Sequence, residues 1–152
     1  MSRYAWLVVL ALSLSVAVPA VTVAADKDDV LKVVTDAYIN GVHIKRDAAA
    51  MRAGFHPDFR MLVLGADGKM THVTLADWAG RIEKASADPK SPKPPAIKYD
   101  FPQVDIQGTA AVVRVEIWRD GAHTFTDYLS LYKFPEGWKI VGKIYYTHPA
   151  QK

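Results

Sequence analysis

Two turn signals limit most of what this chain can fold into. Asp120-Gly121 and Pro135-Glu136-Gly137 each stand between alternating runs rich in β-branched and aromatic residues, so Thr109 to Thr147 is predicted to form three consecutive antiparallel strands. Side chains alternate between the two sides of a strand and a hairpin turn sets which residues oppose each other, so these turns assign every residue of the meander to a face. Counting from Asp120-Gly121 sets Trp118 opposite His123, Ile117 opposite Thr124, Arg114 opposite Asp127 and Val113 opposite Tyr128. Counting from the second turn sets Tyr132 opposite Ile140, Leu131 opposite Val141 and Tyr128 opposite Ile144.

The two faces that result differ in chemistry. One holds Ala111, Val113, Val115, Ile117, Thr126, Tyr128, Ser130, Tyr132, Trp138, Ile140, Ile144 and Tyr146, with no ionisable group except phenols, and is expected to carry the helices and a core. Small hydroxyls beside bulky tyrosines on that face leave room for a ligand pocket with apolar walls. The other mixes a ladder of charges, Asp105, Arg114, Asp127 and Lys143, with Leu129, Leu131, Val141, Trp118 and Tyr145. Cross-strand ion pairs add only about 0.2–1 kcal/mol each, so the ladder speaks for specificity more than for stability. This second face is expected to meet another copy of the chain through Leu129, Leu131, Val141 and Tyr145.

Upstream, Val30, Val33, Val34, Ala37, Tyr38 and Gly41 form one apolar stripe at helical spacing, predicting a first helix that ends near Ile44. Asp47 is placed to cap a short helix, Ala48 to Ala53, with Gly54 as its stop. Phe59 to Leu64 reads as a strand, Asp67-Gly68 as a turn and Lys69 to Val73 as the partner strand. Thr74 with Asp77 three residues on forms a capping box for a third helix. The Pro-rich stretch from Ser86 to Pro95 is a loop, and Ile97 to Ile106 is a strand interrupted at Pro102.

Arg3, the apolar run Trp6 to Val18 and the small residues Val23-Ala24-Ala25 before Asp26 have the three parts of a secretory leader, so residues 1–25 are expected to be removed on export, to a periplasm in a bacterium. Residues 26–152 then form one domain with no membrane span. Among the 152 residues there is no cysteine, which excludes disulfides, thiolate metal sites and a cysteine nucleophile. A net charge of +3 without a basic cluster speaks against nucleic acid as a partner. No phosphate loop, dinucleotide fingerprint or serine-nucleophile motif is present, and the histidines show no metal-ligand spacing; neither a cofactor nor a metal is expected.

The order of helix, short helix, hairpin, helix and antiparallel strands is carried by particular residues. They are Tyr38 and Gly41, Asp47 before Phe55-His56-Pro57, Trp78, Asp127-Tyr128-Leu129-Ser130-Leu131 and Trp138-Lys139-Ile140-Val141. Here the chain resembles the nuclear-transport-factor-like superfamily, and within it the bacterial group called putative lumazine-binding proteins. The resemblance implies an α+β fold, a cystatin-like cone in which a curved antiparallel sheet carries three helices on its concave face. It implies a dimer with a pocket at the mouth of the cone, and a superfamily that contains both binders and isomerase-, cyclase- or dehydratase-type enzymes. The expected function is small-molecule binding, with Tyr38, Phe55, Trp78, Tyr128, Ser130 and Tyr146 as pocket residues. The enzymatic alternative rests on His56 as a base with Asp77 or Asp127; His43, near the end of the first helix, is placed similarly. A third alternative is a structural or interaction domain that dimerises through the charged sheet face. A bulge between Gly121 and Asp127 would reverse the outward assignment of Asp127.

Overall fold

The protein is described from a computed structural model covering residues 20–150. Most of the expected leader lies outside the described residues; its last part, Val23-Ala24-Ala25, falls within the first helix. That helix, α1 (Ala20–Val33), continues without a break as a π-helical stretch (Val34–Ile44). There follow α2 (Ala48–Gly54), β1 (Phe55–Leu64), β2 (Met70–Thr74), α3 (Leu75–Ala87), β3 (Ile97–Gln107), β4 (Ala110–Arg119), β5 (Ala122–Phe134) and β6 (Gly137–Thr147).

Local chemistry accounts for the helix starts. The Asp47 carboxylate accepts from the N–H groups of Ala49 and Ala50 at 2.9 and 3.0 Å, satisfying donors that the first turn of α2 leaves free. Thr74 Oγ1 accepts from the Asp77 N–H at 3.1 Å and donates to its carboxylate at 2.7 Å, which opens α3. Gly54 allows α2 to lie against the first helix, because a Cβ there would stand 2.3 Å from the Cβ of Ala37.

In the π-helical stretch the turn widens, and the Lys45 N–H reaches back five residues to the Asn40 carbonyl at 2.8 Å. Wider turns bring Val34, Tyr38 and His43 onto one buried face, whereas the α-helical period of 3.6 aligns Val34 and Tyr38 with Gly41.

The sheet has strand order β2-β1-β6-β5-β4-β3. It is curved, open and mixed: β1 runs parallel to β6, and every other neighbouring pair is antiparallel. Its concave side packs against the helices around a core that includes Tyr38, Phe55, Phe59, Met51, Ile117, Leu129, Leu131 and Ile140, giving the α+β cone expected. Pairing between β3 and β4 shifts between Asp100 and Gln103, at Pro102.

The meander forms with the expected turns, and Asp120 and Gly121 both take positive φ, as a two-residue hairpin of this twist requires. Its register differs from simple counting at two places. Trp118 pairs with His123 but Ile117 pairs with Phe125, so Thr124 is an extra residue bulged out of β5. Between β5 and β6, Ser130 pairs with Gly142 and Leu131 with Ile140, so Val141 is bulged in turn. Since the side-chain period is two, the first bulge exchanges the faces of β5 beyond it. Val115, not Arg114, opposes Asp127, and Asp127 points into the cone and is fully buried. Leu129 and Leu131, expected on the outer contact face, are buried core residues, and Tyr145 turns inward with Lys143. Conversely, Tyr128, Ser130 and Tyr146, expected to line the pocket, stand on the outer face with Val112, Tyr132 and Ile144; Tyr146 is 56% exposed.

Candidate functional site

Between the π-helical stretch, β1, α3 and the inner faces of β4, β5 and β6 lies a cavity of about 380 Å³. Its walls are Tyr38, His43, Met61, Trp78, Arg119, Phe125, Lys143, Tyr145 and Thr147. A second space of about 310 Å³ shares His43, Trp78 and Arg119 and continues toward Arg46, Arg81 and Pro95. A groove of about 510 Å³ between α1, α2 and the β5–β6 turn is larger, but its walls carry solvent-facing charges such as the Lys32–Asp36 pair. The buried chemistry is in the cone.

The inward Asp127 anchors that chemistry. Its Oδ2 accepts from the Tyr38 hydroxyl and its Oδ1 from the Lys143 ammonium. Lys143, 6% exposed, also stands 4.4 Å from the ring centre of Tyr145 and 5.4 Å from that of Tyr38, where the π faces help to hold a cation out of water. Burial, and next the adjacent Asp127, push the Tyr38 phenol well above its ordinary value. Burial pulls the Lys143 ammonium below its ordinary value, although Asp127 opposes this.

At the other end of the cavity, the strand alternation that buries Ile117 also turns Arg119 inward. The Arg119 guanidinium lies 4.6 Å from the Phe125 ring centre, and its Nη2 is 3.2 Å from His43 Nδ1. An arginine can only donate, so Nδ1 is the acceptor and the neutral ring carries its hydrogen on Nε2. Burial, then the charges of Arg119 and Lys143, lower the His43 pKa to about 3, which keeps it neutral. His43 Nε2 and Arg119 Nε are buried N–H donors for which the described residues supply no acceptor. Buried donors without partners are costly, so this end of the cavity suits a guest that brings an oxygen or nitrogen acceptor.

Of the residues expected to form the pocket, Tyr38 and Trp78 line the cavity. Phe55 packs behind them, with ring centres 6.5 Å from Tyr38 and 5.9 Å from Trp78. Tyr128, Ser130 and Tyr146 lie on the opposite face of the sheet. The three residues of the enzymatic alternative are not brought together. His56 sits at the start of β1, stacked on Phe134 with ring centres 4.7 Å apart, and its Nδ1 accepts from the Asp58 N–H at 3.1 Å. Asp77 is engaged in capping α3. Only Asp127 points into the cone, and both its oxygens are held. Arg119, Lys143 and Tyr145 were not legible as site residues. The position of Arg119 one residue before the Asp120-Gly121 turn, in alternation with Ile117, is the signal that could have found it.

A curved open sheet closed by helices over one cavity with a few inward polar groups defines a domain of the class known as NTF2-like or cystatin-like. The chain belongs to the family described as putative lumazine-binding, whose pattern spans residues 25–146. Among solved structures, an NTF2-like protein of unknown function from Shewanella baltica is 25% identical, covering 88% of this chain and 100% of its own with a TM-score of 0.68. Another from Silicibacter pomeroyi is 20% identical over 83% of this chain and 98% of its own, with a TM-score of 0.65. A domain of unknown function with a cystatin-like fold from Nostoc punctiforme, 15% identical, covers 83% of this chain and 79% of its own at a TM-score of 0.61. No curated protein matches the chain.

Proposed function

We propose that this is an exported small-molecule-binding protein whose guest occupies the cone cavity and presents a carbonyl or carboxylate oxygen to Arg119 and His43. The observation that carries it is the pair of buried N–H donors that find no acceptor among the described residues, beside the aromatic walls of Tyr38, Trp78, Phe125 and Tyr145. The family description supports binding as the activity; it is the donor geometry that selects the acceptor-bearing class. The test is mass spectrometry of compounds released from the protein purified without denaturation, followed by titration of each hit into native protein and Arg119→Gln. A cyclic compound with an exposed acceptor oxygen, bound about tenfold or more weakly by the variant, is expected. Native protein that releases nothing and whose melting is unmoved by a panel of cyclic carboxylates and heterocyclic carbonyls would overturn it.

An enzyme of the isomerase, cyclase or dehydratase type is favoured by one observation, the inward Asp127 in contact with Tyr38 and Lys143. In that case turnover of a cyclic carbonyl compound is abolished by Asp127→Asn and survives His56→Ala. The leader-like segment in residues 1–25 supports export to the periplasm, which the mass of the protein recovered from that compartment tests. Five large apolar side chains, Val112, Tyr128, Tyr132, Ile144 and Tyr146, stand exposed on the outer sheet face and support a dimer formed there by a second copy.

A further inference from the structure

Where β4, β5 and the residues after β6 meet on the outer face, the fold gathers three side chains that are far apart in sequence. We propose that Glu116, His123 and His148 form a binding site for a divalent transition-metal ion, Zn²⁺ first among them. Their ligating atoms all lie within 4.8 Å of one another. His123 Nε2 is 2.8 Å from Glu116 Oε2, while Thr126 Oγ1 is 2.6 Å from the same oxygen and 2.9 Å from His148 Nε2. The donors therefore converge around the Thr126 hydroxyl.

Each ligand is held in place. Arg114 Nε donates to Glu116 Oε1 at 2.6 Å, which fixes the carboxylate and leaves Oε2 facing the imidazoles. Trp118 stacks on the His123 ring with centres 4.7 Å apart. The His148 N–H donates to the Thr124 carbonyl at 2.9 Å, tying the chain beyond β6 to the bulge in β5. The His123 and His148 rings are stacked, 3.7 Å between centres, with Nε2 of the first on the Glu116 carboxylate and Nε2 of the second on the Thr126 hydroxyl beside it.

Two neutral imidazole nitrogens and one carboxylate oxygen make a donor set that zinc accepts at about 2.0–2.2 Å, leaving a further position open. Donors of this N/O kind also take cobalt and nickel. Tetrahedral bonds of that length put donor atoms roughly 3.3–3.6 Å apart, between the 2.8 Å of the His123–Glu116 contact and the 4.8 Å that bounds the cluster, so an ion would take the place of that hydrogen bond. When the metal binds, each Nε2 offers its lone pair and the ring hydrogen resides on Nδ1. This site is separate from the cone cavity, because Glu116 and Thr126 alternate with Val115, Ile117, Phe125 and Asp127, which face the other way.

The test uses the full chain, free of any affinity tag and dialysed against chelator. Zn²⁺ binding is followed by calorimetry, and Co²⁺ binding by its visible d–d absorption and by quenching of Trp118 emission. One ion per chain is expected, with affinity reduced about 10–100-fold or more in His148→Ala and in Glu116→Gln, and unchanged in His72→Ala, an exposed histidine on β2. His148 follows the last strand, so its removal leaves the sheet intact, and circular dichroism verifies this. Absence of stoichiometric binding by the native protein, or equal binding by the His148 variant, would overturn the site.

Discussion

Acidification is expected to destabilise this protein through His43. In the folded chain the ring is buried beside Arg119 and Lys143 and its pKa is lowered to about 3. In the unfolded chain it returns to about 6.5. Between those values the unfolded state holds a proton that the folded state refuses, so the stabilisation is complete above about pH 6.5 and is lost as the pH falls toward the folded value. The loss approaches 1.4 kcal/mol for each pH unit, and integrating from about pH 7 to about pH 5 gives roughly 2 kcal/mol from this one residue. Urea unfolding followed by tryptophan emission, repeated across that range, measures it. The other histidines contribute to both proteins alike, so the informative quantity is the difference in slope between native protein and His43→Gln, whose amide can still accept from Arg119. A native slope equal to that of the variant would refute the assignment, as would an NMR titration showing the His43 ring protonating near pH 6.5.

The buried ion pair and the outer face yield two further expectations. Asp127→Ala leaves Lys143 and the Tyr38 hydroxyl without their partner in the core and is expected to cost about 3–5 kcal/mol in urea unfolding, whereas Asp127→Leu combined with Lys143→Met costs far less because no charge is left behind; equal losses would show that the pair is not buried as described. Ile144→Asp places a charge amid the exposed apolar patch of the outer face and is expected to convert a dimer into monomers in sedimentation experiments without unfolding the chain, and a native protein that sediments as a monomer would rule out dimerisation there.

Much of the fold could be read in the sequence because local signals agreed with the final structure. The turn at Asp120-Gly121, the Asp47 cap, the Thr74–Asp77 box and the inward row Ala111, Val113, Val115 and Ile117 all have causes confined to a few neighbouring residues. The site was harder to read, for three physical reasons. Strand β5 is amphipathic in both registers: Phe125, Leu129 and Leu131 form as good an apolar row as Tyr128, Tyr132 and their neighbours. Only Asp127 argues against the first row, and its charge is cancelled by Lys143, a partner visible only once β6 is in place. His43 could be read only as a candidate near the end of the first helix; its place on the buried face comes from the widened turns, since a period of 3.6 turns a different residue inward. The Glu116, His123 and His148 cluster had no local spacing to betray it, because its members come together only through the pairing of three strands and the chain beyond them.

The bulge at Thr124 bears on how such a protein can change over evolutionary time. Beyond it, β5 stores two alternative linings on its two sides, one with Phe125, Asp127, Leu129 and Leu131 and the other with Thr126, Tyr128, Ser130 and Tyr132. Loss or gain of a single codon near the hairpin swaps which set is enclosed and which is presented to solvent, with no other substitution. In this architecture a short insertion or deletion can rewrite the chemistry of the interior more thoroughly than a series of point mutations. Chains with nearly the same fold and different guests are the natural product of that economy.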